Sequence, residues 1–246
     1  MTRTLYLAWQ SPGPGNAWFP VGRLDTDRQQ GLFWFTYVHG AWRAAKKAGF
    51  RPPMAFPNFR ARYEAGELFP LFKNRVLDFQ RKDFPDYLRT LALDSAHPDP
   101  VEILALSGGE LQTDNFEVFP RLEMGPDNRF RCRFFLHGLR YLSEEVHKVW
   151  PTLMSDEPLQ VALELNNPAT GIAVQLATRR YEVVGWAPRY LVDDLVPAVG
   201  QHQELSARVV RNNEAETPPN RRILVEMNGV VAPGHKMMAG PDFQPI

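Results

Sequence analysis

Arginine and aromatic side chains recur together in the second half of the chain. Between Arg129 and Phe134 the arginines alternate with Phe130, Cys132 and Phe134. Successive residues of a strand point to opposite faces, so in a strand these arginines would share one face and the apolar residues the other. Further positive charge follows at Arg140, Arg179, Arg180, Arg189, Arg208, Arg211, Arg221 and Arg222.

Two interpretations of this pattern stay open. In the first, the arginines form an ordinary solvated face of a sheet. In the second, they line a nucleic-acid groove in which guanidinium groups contact phosphates and Tyr141, Trp186 and Tyr190 stack on bases. Such stacking contributes roughly 1–3 kcal/mol per base. Composition does not choose between the two interpretations.

Acid–base or metal chemistry has fewer candidates, namely Asp114, Glu117, His137 and Glu164. His137 lies in an apolar strand-like run, which is typical of a histidine inside the core. The histidines show no pair at metal-ligand spacing, and no serine stands in a nucleophile-elbow motif. We therefore expect a protein that is not an enzyme and that has no cofactor and no metal site.

Composition limits the compartment and the class of partner. The chain has 246 residues, 44% of them apolar, and 28 Lys+Arg balance 28 Asp+Glu. A neutral chain is not a bulk polyanion binder, so nucleic-acid binding would need local clustering. The single Cys132 excludes an internal disulfide and a cysteine-based zinc site. No apolar run approaches the ~20 residues of a membrane span. These features favour a soluble, cytoplasmic protein without membrane contact.

The elements that would position these residues differ between the two halves. The first half opens with alternating strand-like runs and continues with short helices at 41–49, 66–78, 84–93 and 100–107, the last framed by Asp99-Pro100 and Gly108-Gly109. After the turn-rich stretch at 124–128, short strands recur with turns between them, and one helix fits at 190–199. The sequence therefore predicts an α+β domain over 1–123 and a mostly-β small barrel with one short helix over 124–246.

The second half resembles the HIRAN domain, a small OB-like β-barrel that occurs alone in bacteria and fused to helicases. The resemblance covers about Phe130 to Met227 and rests on the order of four motifs. These are Gly138-Leu139-Arg140-Tyr141, Asn167-Pro168, Ala173-Val174, and Val184-Gly185 followed by Arg189.

In helicase-borne members of this family the barrel holds the 3′ end of single-stranded DNA. The resemblance implies phosphate contacts by Arg140 and Arg189, and base or sugar packing on Tyr141. It also implies a polar contact by Asn167. The family turn commonly continues with an aromatic residue and Asp, where this chain has Ala169 and Thr170. Thr170 retains a hydrogen-bonding group but Ala169 cannot stack, so general binding is expected and end specificity is left open.

The first half resembles the N-terminal subdomain of HipA-type toxin kinases over roughly residues 4–122. The matching positions are Phe69, Phe72, Asn74, Val76, Leu77, Leu104, Gly108, Val118 and Pro120. The chain has no glycine-rich phosphate loop leading to a lysine and no catalytic Asp with a downstream Asn. In tripartite relatives of these toxins the subdomain is a separate chain that docks on the kinase. The resemblance thus implies a docking partner, with Trp18, Trp34 and Trp42 as candidate contact residues.

Together these features predict a non-catalytic protein that binds single-stranded or end-bearing DNA through its second domain. The first domain would couple that binding to a HipA-like kinase in a toxin–antitoxin or phage-defence system. The alternative hypothesis is a protein-interaction or antitoxin module that binds a kinase-like partner without binding DNA.

Overall fold

A computed structural model of the chain describes residues 2–12, 17–125, 127–168, 170–200 and 204–246. They form a mixed α/β protein with two antiparallel sheets and few helices. Two compact units are present, one made of Met1–Pro85, Asp94–Arg121 and Met238–Ile246, the other of Asp86–Leu93 and Leu122–Met237. The predicted division into 1–123 and 124–246 stays a prediction, since each unit combines separate stretches of the chain. Within the described ranges, no helix is long and apolar enough to cross a membrane.

The first unit contains a five-stranded antiparallel sheet. Its strands are β1 (Thr2–Gln10), β2 (Trp18–Asp27), β3 (Leu32–Tyr37), β4 (Tyr63–Ala65) and β5 (Phe116–Pro120), in the order β4-β3-β2-β1-β5. The meander that the opening alternation predicts is confirmed by the antiparallel pairing of β1 with β2 and of β2 with β3. Sequence reasoning missed β4, whose three residues are too few for a periodic pattern.

Short helices α1 (His39–Ala48), α2 (Pro70–Lys73) and α4 (Pro100–Ser107) accompany this sheet, whereas α3 (Phe84–Thr90) falls mostly in the second unit. The expected frame of α4 is confirmed, since the Asp99 carboxylate accepts the Val101 N–H and Gly108 ends the helix with a φ of 73°. The helix predicted over 66–78 is wrong in length. The Arg75 side chain donates to the Leu71 carbonyl, the acceptor that a continuing helix would give to the Arg75 backbone N–H.

The second unit contains a six-stranded antiparallel sheet. Its strands are β6 (Arg129–Phe135), β7 (Pro158–Asn167), β8 (Gly171–Ala177), β9 (Val183–Trp186), β10 (Ser206–Asn212) and β11 (Ile223–Val230), in the order β6-β11-β10-β7-β8-β9. The predicted run of short strands is therefore confirmed. The unit also contains a short 3-10 helix, Leu139–Tyr141, followed by α5 (Glu144–Val149) and α6 (Arg189–Gly200). The prediction of a single helix in this unit is wrong. Sequence reasoning missed α5 because this helix is too short and too polar to show a helical repeat of apolar residues.

The predicted barrel is not found as a closed structure among the described residues. Strands β6 and β9 stand at opposite edges of the sheet order and share no ladder. A single antiparallel bridge joins the segment after β6 to β9, with the His137 N–H donating to the Trp186 carbonyl at 2.9 Å and the reverse bond at 3.1 Å. The second unit is thus a β-rich fold whose sheet edges meet at one residue pair.

Candidate nucleic-acid interface

The bridge between His137 and Trp186 leads into a tight corner of the second unit. Gly138 has a φ of 74°, and a Cβ at this position would lie 2.5 Å from an indole carbon of Trp186. Any side chain would therefore clash with the ring and strain the backbone as well. The glycine lets the chain turn directly against the indole and enter the 3-10 helix Leu139–Tyr141. We call residues 137–141 together with Trp186 the Gly138 corner.

The exposed part of the Gly138 corner is Arg140 with Tyr141. The Arg140 guanidinium carbon lies 4.8 Å from the centre of the Tyr141 ring, and its Nη2 donates to the tyrosine oxygen at 2.6 Å. Tyr141 is 69% exposed. A guanidinium held over one face of an accessible ring combines a phosphate-binding charge with a stacking surface. The roles that the sequence predicts for this pair, phosphate contact by Arg140 and base or sugar packing on Tyr141, stay predictions.

Glu164 on β7 connects the Gly138 corner to the β7–β8 turn, which contains Asn167. Its Oε2 accepts the indole N–H of Trp186 at 2.6 Å and the side-chain amide of Asn167 at 3.0 Å. The Asn167 Oδ1 in turn accepts the backbone N–H and the hydroxyl of Thr170 at 3.1 and 3.0 Å. The three polar side chains therefore fix the β7–β8 turn and hold a part-buried indole in place. Ala169, the position at which the sequence departs from the HIRAN pattern, lies outside the described residues.

Arg189 and Tyr190 begin α6 and are both part-buried. Burial, and secondarily the positive charge of Arg189, lowers the pKa of His137 from 6.5 to about 4. Arg189 therefore lies close enough to act on the Gly138 corner electrostatically. Motifs that stand far apart in the sequence, at 138–141, 164–170 and 184–190, are linked in the fold by direct contacts or by charge.

The alternating arginines of β6 do share one face, as the sequence predicts. Their positive charge is paired with a carboxylate, however, and is not free to bind a ligand. The register pairs Arg133 and Arg208 with the same residue of β11, Glu226. Glu226 Oε2 accepts from Arg133 Nε at 2.8 Å and from Arg131 Nε at 2.7 Å, and Oε1 accepts from Arg208 Nη2 at 2.8 Å. We call Glu226 and these three arginines the Glu226 cluster.

Charge in the Glu226 cluster is compensated inside the protein. The Glu226 side chain is only 4% exposed. Burial opposes its ionisation, but hydrogen bonds from Arg133, Arg208 and Arg131 outweigh burial and lower the pKa from 4.5 to about 2. At the edge of the cluster Arg208 also pairs with Asp156, and nearby Arg129 pairs with Asp127 and Glu204. This face therefore contributes little net positive potential.

The turn between β8 and β9 presents a second arginine–tyrosine group that sequence reasoning did not select. Arg179, Arg180 and Tyr181 are all exposed, Tyr181 at 77%. Thr178 fixes the turn, since its hydroxyl accepts the Arg180 N–H at 3.2 Å and donates to the Glu182 carboxylate at 3.0 Å. A signal was present in the sequence, because Arg-Tyr recurs at 140–141, 180–181 and 189–190.

The four acid–base candidates belong to different units. Asp114 and Glu117 lie in the first, where Asp114 pairs with Arg75 and burial raises the pKa of Glu117 to about 8. Glu164 and His137 lie in the second, where both have structural contacts as described above. Among the described residues, no group of three or more His, Cys, Asp or Glu side chains could hold a metal ion.

The three tryptophans expected to face a partner have different surroundings in the first unit. Trp42 on α1 is 39% exposed, with its ring 5.1 Å from that of His39. Trp34 is part-buried, donates its indole N–H to Glu64 at 2.8 Å, and is covered by the guanidinium of Arg62 at 5.2 Å. Trp18, at the start of β2, is part-buried. Of the three, Trp42 has the most accessible ring.

Comparison with known proteins adds no identification. No protein-family model matches the chain, and no curated protein matches it. Among solved structures, the chain is similar to the crystal structure of a protein from Lactobacillus plantarum, with 15% identity and a TM-score of 0.34 over 42% of this chain and 99% of that one. A similarity of this size carries no argument about fold or activity. The HIRAN and HipA resemblances therefore stay predictions from the sequence.

Proposed function

We propose that the second unit binds single-stranded nucleic acid, in the first place DNA, at a surface centred on Arg140 and Tyr141. The observation that carries this proposal is the exposed Tyr141 ring with the Arg140 guanidinium held over it. Bases stack on such a ring whatever their sequence, and the adjacent charge suits the backbone phosphates. The proposed role is binding without catalysis.

The contacts around this pair support a preorganised surface. Trp186 is held by Glu164 and packed against Gly138, so the corner that presents Arg140 and Tyr141 is fixed from beneath. A rigid aromatic surface loses little conformational entropy when a ligand binds. Arg189 and Tyr190 at the start of α6 extend the proposed surface, and Asn167 and Thr170 position its neighbouring turn.

A titration of labelled single-stranded oligonucleotide, followed by fluorescence polarisation at two salt concentrations, tests the proposal. We expect affinity to fall as salt rises, because each phosphate contact releases counterions. Tyr141→Ala should weaken binding by about 1–3 kcal/mol. Arg140→Ala should weaken binding and also make it less sensitive to salt.

Arg131→Ala is the matched control, because Arg131 is also exposed but is already paired with Glu226. It should leave affinity close to that of the parent chain. Equal losses in the Arg140 and Arg131 variants would mean that binding is diffuse, and the proposed surface would then be wrong. No binding at low salt would remove nucleic acid from the function and favour the protein-interaction alternative.

We further propose that the first unit docks on a HipA-like kinase, so that the chain couples nucleic-acid binding to a toxin–antitoxin or phage-defence response. The exposed ring of Trp42 supports a contact surface there. The test is copurification of the tagged full chain from its native host, with Trp42→Ala beside the parent. Loss of a kinase-like protein only in the variant is expected. If the parent brings down no kinase-like protein, the docking proposal fails.

A further inference from the structure

Arg222 is a nearly buried arginine in the second unit, 8% exposed. It follows a short 3-10 helix, Pro219–Arg221, and precedes β11. Its backbone is held on both sides, since its N–H donates to the Pro219 carbonyl at 3.2 Å and its carbonyl accepts from the Asn213 N–H at 2.8 Å. The Asn213 side chain donates to the Arg221 carbonyl at 2.7 Å and to the Thr90 carbonyl at 3.0 Å. The guanidinium therefore extends from a fixed stretch of chain.

One nitrogen of the Arg222 guanidinium lacks a partner. Its Nη1 is buried and has no hydrogen-bond partner. Arg222 also takes part in none of the ion pairs formed by the described residues. A buried charge without a partner is destabilising, so proteins pair almost all of them.

Arg75, the buried arginine of the first unit, shows what full pairing looks like. Arg75 is 6% exposed against 8% for Arg222, yet it donates to the carbonyls of Leu71 and Gly109, both at 2.9 Å, and to the Asp114 carboxylate. The fold can therefore satisfy a buried guanidinium completely. Nη1 of Arg222 has no such acceptor among the described residues, so it is available to an acceptor from outside the chain.

The position of Arg222 indicates which partner. The 3-10 helix Pro219–Arg221 contacts the 3-10 helix Leu139–Tyr141. The pairing of β11 with β6 also brings the start of β11 next to the residues that precede the helix Leu139–Tyr141. Leu224 stands opposite Phe135, and the Leu136 N–H donates to the Ile223 carbonyl. Arg222 thus enters the fold beside the segment that presents Arg140 and Tyr141.

We propose that Arg222 holds a phosphate group of the strand that binds at the Gly138 corner. This inference rests on the proposed function for the source of the phosphate. A guanidinium can donate two parallel hydrogen bonds to phosphate oxygens, and a poorly solvated site strengthens their attraction. Because Nη1 is buried in the free protein, binding requires the side chain to reorient, and Nη1 then gains the acceptor that it lacks.

Arg222→Met in the full chain tests this with two measurements. The first is affinity for a single-stranded oligonucleotide, which should fall by about tenfold, with a salt slope shallower by about 0.7. The second is the thermal unfolding midpoint in inorganic phosphate against chloride at matched ionic strength. Phosphate should raise the midpoint of the parent chain and not that of the variant.

Without phosphate, Arg222→Met should unfold at the same temperature as the parent or higher, because the substitution removes an unpaired buried charge. Arg129→Met is the control, since Arg129 already pairs with Asp127 and Glu204 and should change neither measurement. Arg222→Lys keeps the charge without the planar fork, and its affinity should lie between those of the parent and the methionine variant.

A methionine variant that is much less stable than the parent, or fails to fold, would show that the guanidinium has a structural partner and would overturn the inference. So would unchanged oligonucleotide affinity together with the absence of any phosphate effect. If the parent binds no strand but keeps an Arg222-dependent phosphate effect, the anion site stands and the proposed function fails.

Discussion

The Glu226 cluster and the Gly138 corner use the same cationic side chain within one unit, but they differ in what compensates its charge. In the cluster, one nearly buried carboxylate accepts hydrogen bonds from Arg131, Arg133 and Arg208. At the corner, Arg140 meets the ring and hydroxyl of Tyr141, which carry no opposite charge. An arginine-rich sequence is therefore not a measure of positive surface, because cross-strand register decides which arginines stay available to a ligand.

The largest effect is expected from removing the carboxylate that defines the Glu226 cluster. Glu226→Gln leaves three part-exposed arginines facing a nearly buried neutral group, so the free energy of unfolding should fall by about 2–3 kcal/mol, measured by urea denaturation. Glu204→Gln, at an exposed carboxylate paired with Arg129, is the control and should cost less than about 1 kcal/mol.

The same variant should also change nucleic-acid binding. Glu226→Gln makes the cluster resemble the corner in charge, so affinity for single-stranded DNA at low salt should rise. Unchanged affinity would mean that the three arginines do not bind nucleic acid even when no carboxylate neutralises them.

Gly138→Ala tests the geometry of the corner. The added methyl group meets both a left-handed backbone and the Trp186 ring, and we expect a loss of about 2 kcal/mol in unfolding free energy. Gly171→Ala is a close control, since Gly171 has a φ of 75° and no atom within 4 Å of the added carbon. The two variants share the backbone strain, so their difference measures the contact with the ring. Equal losses would show that the indole moves aside freely.

The two regions should also respond to acid in different pH windows. His137 binds a proton less readily in the folded chain, with a pKa of about 4 against 6.5, so its contribution to stability is lost as pH falls through that interval. Glu226 also has a lowered pKa, about 2 against 4.5, and its contribution is lost in the lower window.

Urea midpoints measured across this range test the assignment. His137→Gln should flatten the decline in stability between about pH 6.5 and 4 and leave the steeper decline below it. A variant with the same profile as the parent chain would contradict the assignment of the upper window to the Gly138 corner.

The smallest effect is expected at the turn between β8 and β9. Replacing Arg179, Arg180 and Tyr181 together by alanine removes exposed charge and one ring, without touching the Thr178 contacts that fix the turn. We expect a roughly threefold loss of affinity for long oligonucleotides and none for very short ones, because only a longer strand would reach both arginine–tyrosine groups. Equal losses at all lengths would indicate a general charge effect.

Much of the local structure could be predicted from the sequence, for reasons that specific residues make clear. Asp99-Pro100 and Gly108 mark the ends of α4 because an N-cap carboxylate and a left-handed glycine act within one turn of chain. The alternation from Arg129 to Phe134 predicts the faces of β6 correctly for the same local reason. The helix expected at 66–78 fails because a side chain, Arg75, competes for a backbone acceptor. The spacing of apolar residues in the sequence contains no information about that competition.

The candidate site was predicted only in part. Sequence reasoning selected Arg140, Tyr141 and Trp186, but it could not tell that Trp186 would be tied to Glu164 and serve as a support. It also treated Glu164 only as an acid–base candidate, and it gave Glu226 no role.

Local patterns in the sequence predict the strands of both sheets except β4, the caps of α4 and the grouping of arginine with tyrosine, because each depends on neighbours within a few residues. Only the tertiary structure decided which arginines are neutralised. Glu226 lies 95 residues from Arg131 along the chain and 18 from Arg208, and it meets both because antiparallel register sets them side by side. Electrostatic interaction depends on the distance between charges in space, and separation along the chain does not give that distance.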